Sequence, residues 1–367
     1  MIQLKIDDLR RIISNKHFLV QDANPKSVFE ITERLIGLHS ARLISPYATV
    51  ASRIPGYSPQ NLTQELFEKH SLIKVRCMRK TLHTVTLDLA PIVHQATKKV
   101  RLSICKGLYK KLKMEPYLIQ KLRSQILIAL KNRELSSQEI ESLLSNGKHG
   151  TEKEKIRAVI KELWEEGSIC YLNRSGYWGR EKRYYALTKE KYPELKLDNI
   201  SPQMAQRELF LRHIKHYGPV TLEDMRWWSG LPLSAVKDSI TYFSSEIVTI
   251  KVEGWNSDFF LHEEDLTNPL LRRSQDFLTL LAYEDPTLKG YYESRQRYID
   301  PQNYQKLFNT IGEARASIMK NGEVIGIWSW DKKQLDINIE LFNNITKVDR
   351  TRLHDQIVYF REYLRSH

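Results

Sequence analysis

Cysteine is scarce in this chain: Cys77, Cys105 and Cys170 are its three, odd in number and far apart. That argues against a disulfide framework and matches no zinc-type spacing, so they read as reduced, buried thiols of a cytoplasmic protein. No apolar run approaches the roughly 20 residues of a membrane-spanning helix. The start, Met1-Ile2-Gln3-Leu4-Lys5-Ile6-Asp7-Asp8, has no apolar signal-peptide core. There is no Walker loop, no Gly-x-Gly-x-x-Gly after a strand, no His-Glu-x-x-His and no Ser-nucleophile elbow, which disfavours nucleotide hydrolysis, hydride transfer and metallohydrolysis. No cofactor or metal is expected. His213-x-x-His216 could bring two imidazoles to one helix face, but without a third ligand a solvated face is the expected setting. No dimerisation heptad appears, so a monomer is expected.

Positive charge, in contrast, is in surplus. Lys plus Arg number 57 against 44 Asp plus Glu, a formal +13 with a pI near 9.4. An excess of this size points to a polyanion partner, nucleic acid or an anionic membrane surface, against the plainer reading of a solvated basic face. With no membrane segment, nucleic acid is the better partner. The apolar share of 41% supplies real cores, and 367 residues suggest two or three domains.

The chain divides into four stretches. Residues 1–115 read as mostly helical: Leu9, Ile12, Ile13 and then Val28, Ile31, Leu35, Leu38 recur at helical spacing, with Asn24-Pro25 as an N-cap followed by proline. A helix from Pro59 to about His70 and a strand over Thr81–Thr86 follow. In 116–198, one helix carries Leu118 to Leu130, Ser136-Ser137-Gln138-Glu139 opens a second as a capping box, and a third runs from Glu154 to Glu166 and stops at Gly167. A hairpin then joins Ser168–Leu172 to Arg183–Leu187 through Asn173-Arg174-Ser175-Gly176. Three helices and a hairpin is the winged-helix plan. It recurs in 199–265, with helices from Arg207, Thr221 and Ser234 and a hairpin around Gly254-Trp255-Asn256. Residues 266–367 hold a three-stranded meander with an Asn321-Gly322 turn and a final helix, Val348 to Leu364. The expected fold is α+β: tandem winged-helix domains plus a small C-terminal β-barrel.

The first hairpin carries Arg174, Arg180, Lys182 and Arg183 beside Tyr177, Trp178 and Tyr184. Cations that reach phosphates and aromatics that pack on sugar or base suit a groove-contacting wing; an ordinary solvated hairpin with an aromatic inner face is the alternative. Of Trp227-Trp228, at most one is expected to be exposed, since helix neighbours lie about 100° apart. His39 lies four residues beyond Leu35 and so continues that apolar stripe, where it could be a core histidine satisfied by one hydrogen bond.

One run reaches further. Ile36-Gly37-Leu38-His39-Ser40-Ala41, with Pro46-Tyr47, Ala51-Ser52-Arg53 and Met78-Arg79-Lys80-Thr81-Leu82-His83, resembles the AlkZ/YcaQ family of winged-helix DNA glycosylases. Further carriers are Gly218-Pro219-Val220-Thr221-Leu222-Glu223-Asp224, Trp227-Trp228-Ser229-Gly230-Leu231, Asp285-Pro286 with Gly290-Tyr291, and Gly322 to Trp328. The resemblance covers nearly the whole chain. It implies tandem winged helices and a barrel around a DNA channel, and a monofunctional glycosylase that removes N7-alkylated purines or crosslinked bases from double-stranded, damaged DNA. A cytoplasmic, nucleoid-associated protein follows.

Family members usually carry Gly-Leu-Gln-x-Gln or Gly-Leu-Gln-x-Asp at the motif. Here the two polar positions hold His39 and Ala41, which leaves His39, aided by Ser40, as the catalytic candidates. Arg42, Arg79 and Lys80, within or beside the motif segments, join the wing cations as expected DNA contacts. N7 alkylation already makes the base a good leaving group, so the remaining tasks are to orient water toward C1′ and to stabilise positive charge on the sugar. Neutral His39 could accept the proton of that water; Ala41 contributes nothing polar. Three functions stay open: a glycosylase with an altered site, a catalytically lapsed damage sensor or regulator, and a transcription factor unrelated to repair.

Overall fold

The computed structural model describes residues 2–20, 25–145, 150–175, 178–269 and 276–365. The expected cap at Asn24, the turn residue Gly176 and the wing residue Tyr177 lie outside them. Among the described residues no helix is long and apolar enough to cross a membrane.

The chain opens with β1 (Gln3–Leu4) and α1 (Ile6–Lys16), then α2 (Val28–Arg34), whose cap is Ser27, accepting from Glu30 N–H at 3.3 Å. The helix is only two turns long. Ile36 and Gly37 adopt φ of 50° and 96°, and their N–H groups bond back to the Glu33 and Thr32 carbonyls at 3.1 and 2.8 Å. This pair of bonds is a Schellman closure. The next two residues form β2 (Leu38–His39). The helical stripe expected to run through Leu38 and His39 therefore stops at Leu35, and His39 is a strand residue. Gly37 is the physical reason: it closes the helix, and a Cβ there would lie 2.9 Å from Val85 Cγ1 and 3.2 Å from the Thr84 carbonyl oxygen.

After α3 (Ser45–Ala51) and α4 (Pro59–Phe67) come β3 (Leu72–Arg76) and β4 (Leu82–Thr86), in a sheet of order β2-β4-β3. The long helix α5 (Leu89–Lys111) leads to α6 (Pro116–Ala129), α7 (Ser137–Leu144), α8 (Thr151–Glu166) and the hairpin β5 (Ile169–Asn173) and β6 (Arg183–Leu187), closed by α9 (Thr188–Lys191). The expected capping box is present: Glu139 N–H donates to Ser136 Oγ at 3.2 Å and Ser136 N–H to Glu139 at 2.7 Å. Gly167 ends α8 at φ 91°.

Next are α10 (Pro202–Tyr217), α11 (Leu222–Ser229), α12 (Leu233–Tyr242), β7 (Ile247–Val252) and β8 (Phe259–His262). Thr221 and Asp224 form a second capping box, and β1 adds in parallel to β7. One order thus occurs three times: a helix, a short paired segment, two helices, a hairpin. The short segment always pairs with the second hairpin strand, as β2 with β4, Leu135 with Tyr185 on β6, and Val220 with Phe260 on β8. His39 lies on the first of these segments.

The last part contains β9 (Leu278–Leu281), α13 (Pro286–Lys289), α14 (Tyr304–Leu307), β10 (Ser317–Lys320), β11 (Glu323–Asp331), β12 (Asp336–Leu341) and α15 (Lys347–Arg365). Asn321 and Gly322 take φ of 51° and 83°, as a primed hairpin turn requires. The strands form one antiparallel sheet of order β12-β11-β10-β9, so the expected meander gains a fourth strand. The expected barrel is corrected to an open sheet, since among the described residues the edges β12 and β9 do not pair. Four strands are too few to close around a filled interior, and α15 packs on this sheet, its Phe360 ring 5.8 Å from that of Trp328.

One hydrophobic core joins the first and third helix–hairpin units to this sheet, while the second unit centres on its own cluster around Ile126, Leu130, Ile140, Val159 and Leu163. The candidate site lies within the first assembly.

Candidate active site

His39 on β2 faces His83 on β4, and their rings meet edge to face at 5.4 Å. His39 is buried, and neither of its ring nitrogens has a hydrogen-bond partner among the described residues. Its Nε2 lies 3.8 Å from Glu284 Oε2, too far for a hydrogen bond. Burial, reinforced by His83, Lys289 and Arg79, holds the imidazole well below its ordinary 6.5, so it is neutral at pH 7. His83 is pushed down to about 4 by burial, with Nδ1 at 3.3 Å from both Cys77 Sγ and the Thr81 carbonyl oxygen.

Glu284 comes from the far end of the chain, between β9 and α13, at a φ of 59°. Its Oε1 accepts from Ala314 N–H at 2.6 Å and pairs with Lys289 Nζ at 3.0 Å. Lys289 also donates to the Gly312 carbonyl oxygen at 3.1 Å. Burial pushes this ammonium down to about 8; Arg79 and Arg295 act in the same sense, against the pull of Glu284. His39, His83, Arg79, Glu284 and Lys289 line a common cavity of about 30 Å³, enough for a water molecule.

Trp227 forms a platform beside this cavity. The Arg79, Arg295 and Lys289 cations lie 3.8, 4.6 and 4.8 Å from its ring centroid. Trp228 is buried instead, stacked on His213 at 4.1 Å, while Trp227 is half-buried, so neither is fully exposed. Arg79 sits on the hairpin tip at φ 49°, against Gly230, where a Cβ would come within 3.3 Å of Arg79 Cα.

Long-range bonds hold these pieces in place. Arg53 grips Asp285 with two bonds of 2.8 and 3.0 Å, both side chains fully buried, which fixes the residue next to Glu284. Ser45 Oγ donates to the Tyr283 carbonyl oxygen at 2.8 Å. Tyr217 Oη donates to the Leu35 carbonyl oxygen at 2.7 Å, just ahead of β2, and Tyr291 Oη to that of Tyr217 at 2.9 Å.

Of the residues singled out from sequence, His39 and Arg79 meet at the cavity. Ser40 does not line it: its hydroxyl bonds the Leu38 carbonyl and Thr84 Oγ1, both at 2.9 Å. Ala41 and Lys80 are exposed, as is Arg42, whose guanidinium lies 4.9 Å from the Tyr283 ring centroid. Arg174, Arg180, Lys182 and Arg183 are all exposed on or beside the β5–β6 hairpin and none lines the cavity. Arg174 pairs with Glu134 at 2.6 Å and Arg183 with Glu181 at 2.9 Å. Trp178 is buried against Tyr47 at 4.9 Å, so it belongs to the core. The solvated face expected for His213 and His216 is also corrected: His213 is fully buried between Tyr217 and Trp228, and His216 is half-buried. Helix α10 packs with that face inward, so it has no solvated side there.

Glu284, Lys289 and His83 escaped the sequence reading. The available signal was a carboxylate three residues beyond the apolar strand Leu278–Leu281 and adjoining Asp285-Pro286.

The frame is a mixed α+β chain of three helix–hairpin units and an open sheet, with a buried histidine and carboxylate where the first unit meets the C-terminal part. A family model for AlkZ-like DNA glycosylases matches residues 32–363, and the chain belongs to that family. The solved structure of the Streptomyces sahachiroi DNA glycosylase AlkZ superimposes with a TM-score of 0.78 at 18% identity, over 99% of this chain and 97% of that one. That likeness speaks to the fold. No curated protein sequence matches significantly.

Proposed function

We propose that the protein is a DNA glycosylase that hydrolyses the N-glycosidic bond of N7-alkylated purines, or of crosslinked bases, in double-stranded DNA. The observation that carries this reading is His39, a buried neutral imidazole with both nitrogens unpartnered among the described residues, beside a carboxylate at a water-sized cavity. In this reading the alkylated base leaves with its own positive charge. His39 accepts the proton of the attacking water, and Glu284 counters the charge that develops on the sugar. A protonated His39 would repel that charge, so the burial that keeps it neutral serves the reaction.

The three helix–hairpin units are read as winged helices, the first within 1–115, the second in 116–198 and the third in 199–265, with 266–367 carrying Glu284 to the site. The +13 surplus supplies the attraction for a polyanion. Arg180 and Lys182 carry no ion pair among the described residues and suit phosphate contact better than Arg174 and Arg183, which are paired. Arg42, Arg79 and Lys80 would contact DNA near the lesion.

A second reading, a lapsed damage sensor or regulator, is favoured by one feature: Ser40 is engaged in the backbone and Ala41 is apolar, so the motif keeps a single functional side chain. Incubation with duplex DNA containing N7-methylguanine separates the two. Release above the spontaneous rate that His39→Ala removes, at unchanged DNA affinity, is expected of the glycosylase. Binding without release leaves the sensor, and unchanged release by His39→Ala removes the residue from the chemistry.

A further inference from the structure

Three cations, Arg79, Arg295 and Lys289, lie against the Trp227 ring beside the cavity, and the Glu284 carboxylate pairs with one of them. A structural role for Glu284 needs only one of them, and Lys289 already provides it at 3.0 Å. Yet Arg79 and Arg295 share the Trp227 ring face with Lys289, and the Lys289 side chain is only 9% exposed. A lysine taken out of water and set beside other cations is a standard means of obtaining an amine that reacts as a nucleophile. From this arrangement we infer that Lys289 attacks C1′ of an abasic deoxyribose, which gives the chain an abasic-site lyase activity at the same cavity as base removal. The inference rests on the glycosylase reading of that cavity and goes beyond the monofunctional enzyme that the family resemblance implies.

The chemistry balances without a co-reactant. The unprotonated Nζ adds to the C1′ aldehyde of the ring-opened sugar. A C–N bond forms, the carbonyl oxygen departs as water after taking one proton from Nζ and one from solvent, and a protonated imine remains. A base, Glu284 or neutral His39, then takes a proton from C2′. That electron pair becomes the C2′–C3′ double bond as the C3′–O bond breaks, and the phosphate on C3′ leaves with the downstream strand. Water hydrolyses the imine, which frees Lys289 and an unsaturated aldehyde.

With Lys289 pushed down to about 8 by burial, about one molecule in ten carries the free amine at pH 7.

The test uses the full chain and a duplex with one preformed abasic site, made by removing uracil, in the presence of cyanoborohydride. The expected result is a covalent protein–DNA complex, mapped by mass spectrometry to Lys289, together with strand scission when the reductant is omitted. Lys289→Met should reduce both by about 100-fold or more. Because that variant strips Glu284 of its partner, Lys289→Met/Glu284→Gln is tested beside it, with thermal melts to check folding. Persistence of the adduct in the folded double variant, mapping to another amine, or no adduct on a duplex that is bound overturns the inference. Since the substrate is already abasic, failure to release N7-methylguanine would count against the glycosylase reading alone. If the chain binds no duplex, reductive labelling with 2-deoxyribose 5-phosphate decides: label at Lys289 supports the nucleophile, and label on exposed lysines with Lys289 spared refutes it.

Discussion

Mild acid should unfold this protein, and the window is set by histidines. His83, His94 and His213 are buried, and burial is the largest cause that holds them down, His83 to about 4 and the other two to about 3, from 6.5. His94 also receives the Arg101 guanidinium at 3.1 Å, so a second positive charge there would be repelled. His213 is clamped between the Trp228 and Tyr217 rings. In the unfolded chain each takes up a proton near 6.5, whereas the folded chain refuses it. The stability they contribute is therefore intact above 6.5 and falls as the pH drops, down to about 4 for His83 and about 3 for His94 and His213. At pH 5, about 1.5 pH units below the unfolded value of 6.5, each costs about 2 kcal/mol, and the three together about 6 kcal/mol. That rivals the whole stability of an ordinary domain, about 5–15 kcal/mol. His17, His39 and His216 are displaced in the same direction, also chiefly by burial. Ordinary carboxylates titrate near 4, so the decline from 6.5 to about 5 belongs to the histidines. Urea midpoints at about pH 7.5, 6.5 and 5 measure it, and calorimetry in buffers of different ionisation heat counts the protons. Uptake of about three or more protons on unfolding at pH 5 is expected. A flat midpoint across that range, or uptake below one proton, would refute the account of these buried rings.

Arg53→Ala leaves the Asp285 carboxylate buried without its partner and should cost about 3–5 kcal/mol; the Arg53→Met/Asp285→Leu variant should recover most of this in urea denaturation, and a double variant no better than the single removes the pair as the cause. Gly37→Ala, with φ at 96° and Val85 Cγ1 2.9 Å from the new Cβ, should destabilise by about 1–3 kcal/mol. A melting temperature equal to that of the wild type would show that the helix–strand junction does not depend on it. Arg180→Ala and Lys182→Ala should each lower the slope of log affinity against log salt by about 1, and Arg183→Ala by less because Glu181 holds its charge. Unchanged slopes in the first two would place this wing away from phosphate.

What the sequence disclosed was local. The Ser136/Glu139 and Thr221/Asp224 boxes and the Asn321-Gly322 turn depend on residues within four positions of one another, so their types suffice to read them. The place of His39 depended on a choice between helix and strand, in which apolar spacing pointed one way and Gly37 the other. Glycine just past the last residue of a helical stripe is itself a stop signal, and it prevails because the helix end and the approach of β2 to β4 both need it. Glu284 and Lys289 were illegible for another reason. Their contact with His39 spans the chain, and no spacing rule reaches that far. The fourth strand β9 was missed similarly, since Leu278–Leu281 is too short to separate by period from a buried helix segment.

The segments that carry the family resemblance turn out to bond to one another. Arg53 holds Asp285; Asp224 accepts from Tyr292 and Ser294 N–H at 2.7 and 3.2 Å; Tyr291 reaches Tyr217. These are buried or part-buried attachments whose loss would leave unpaired polar groups, which explains why such residues can mark a fold across distant sequences. None of these bonds passes through His39, whose ring nitrogens have no partner among the described residues, and position 41 is exposed. The frame can therefore keep its geometry while the side chain at position 39 changes. Membership of the family is decided by the frame; in the proposed reaction the chemistry falls to His39 together with Glu284 and Lys289, which the frame also ties to Ala314 N–H and to the Gly312 carbonyl oxygen.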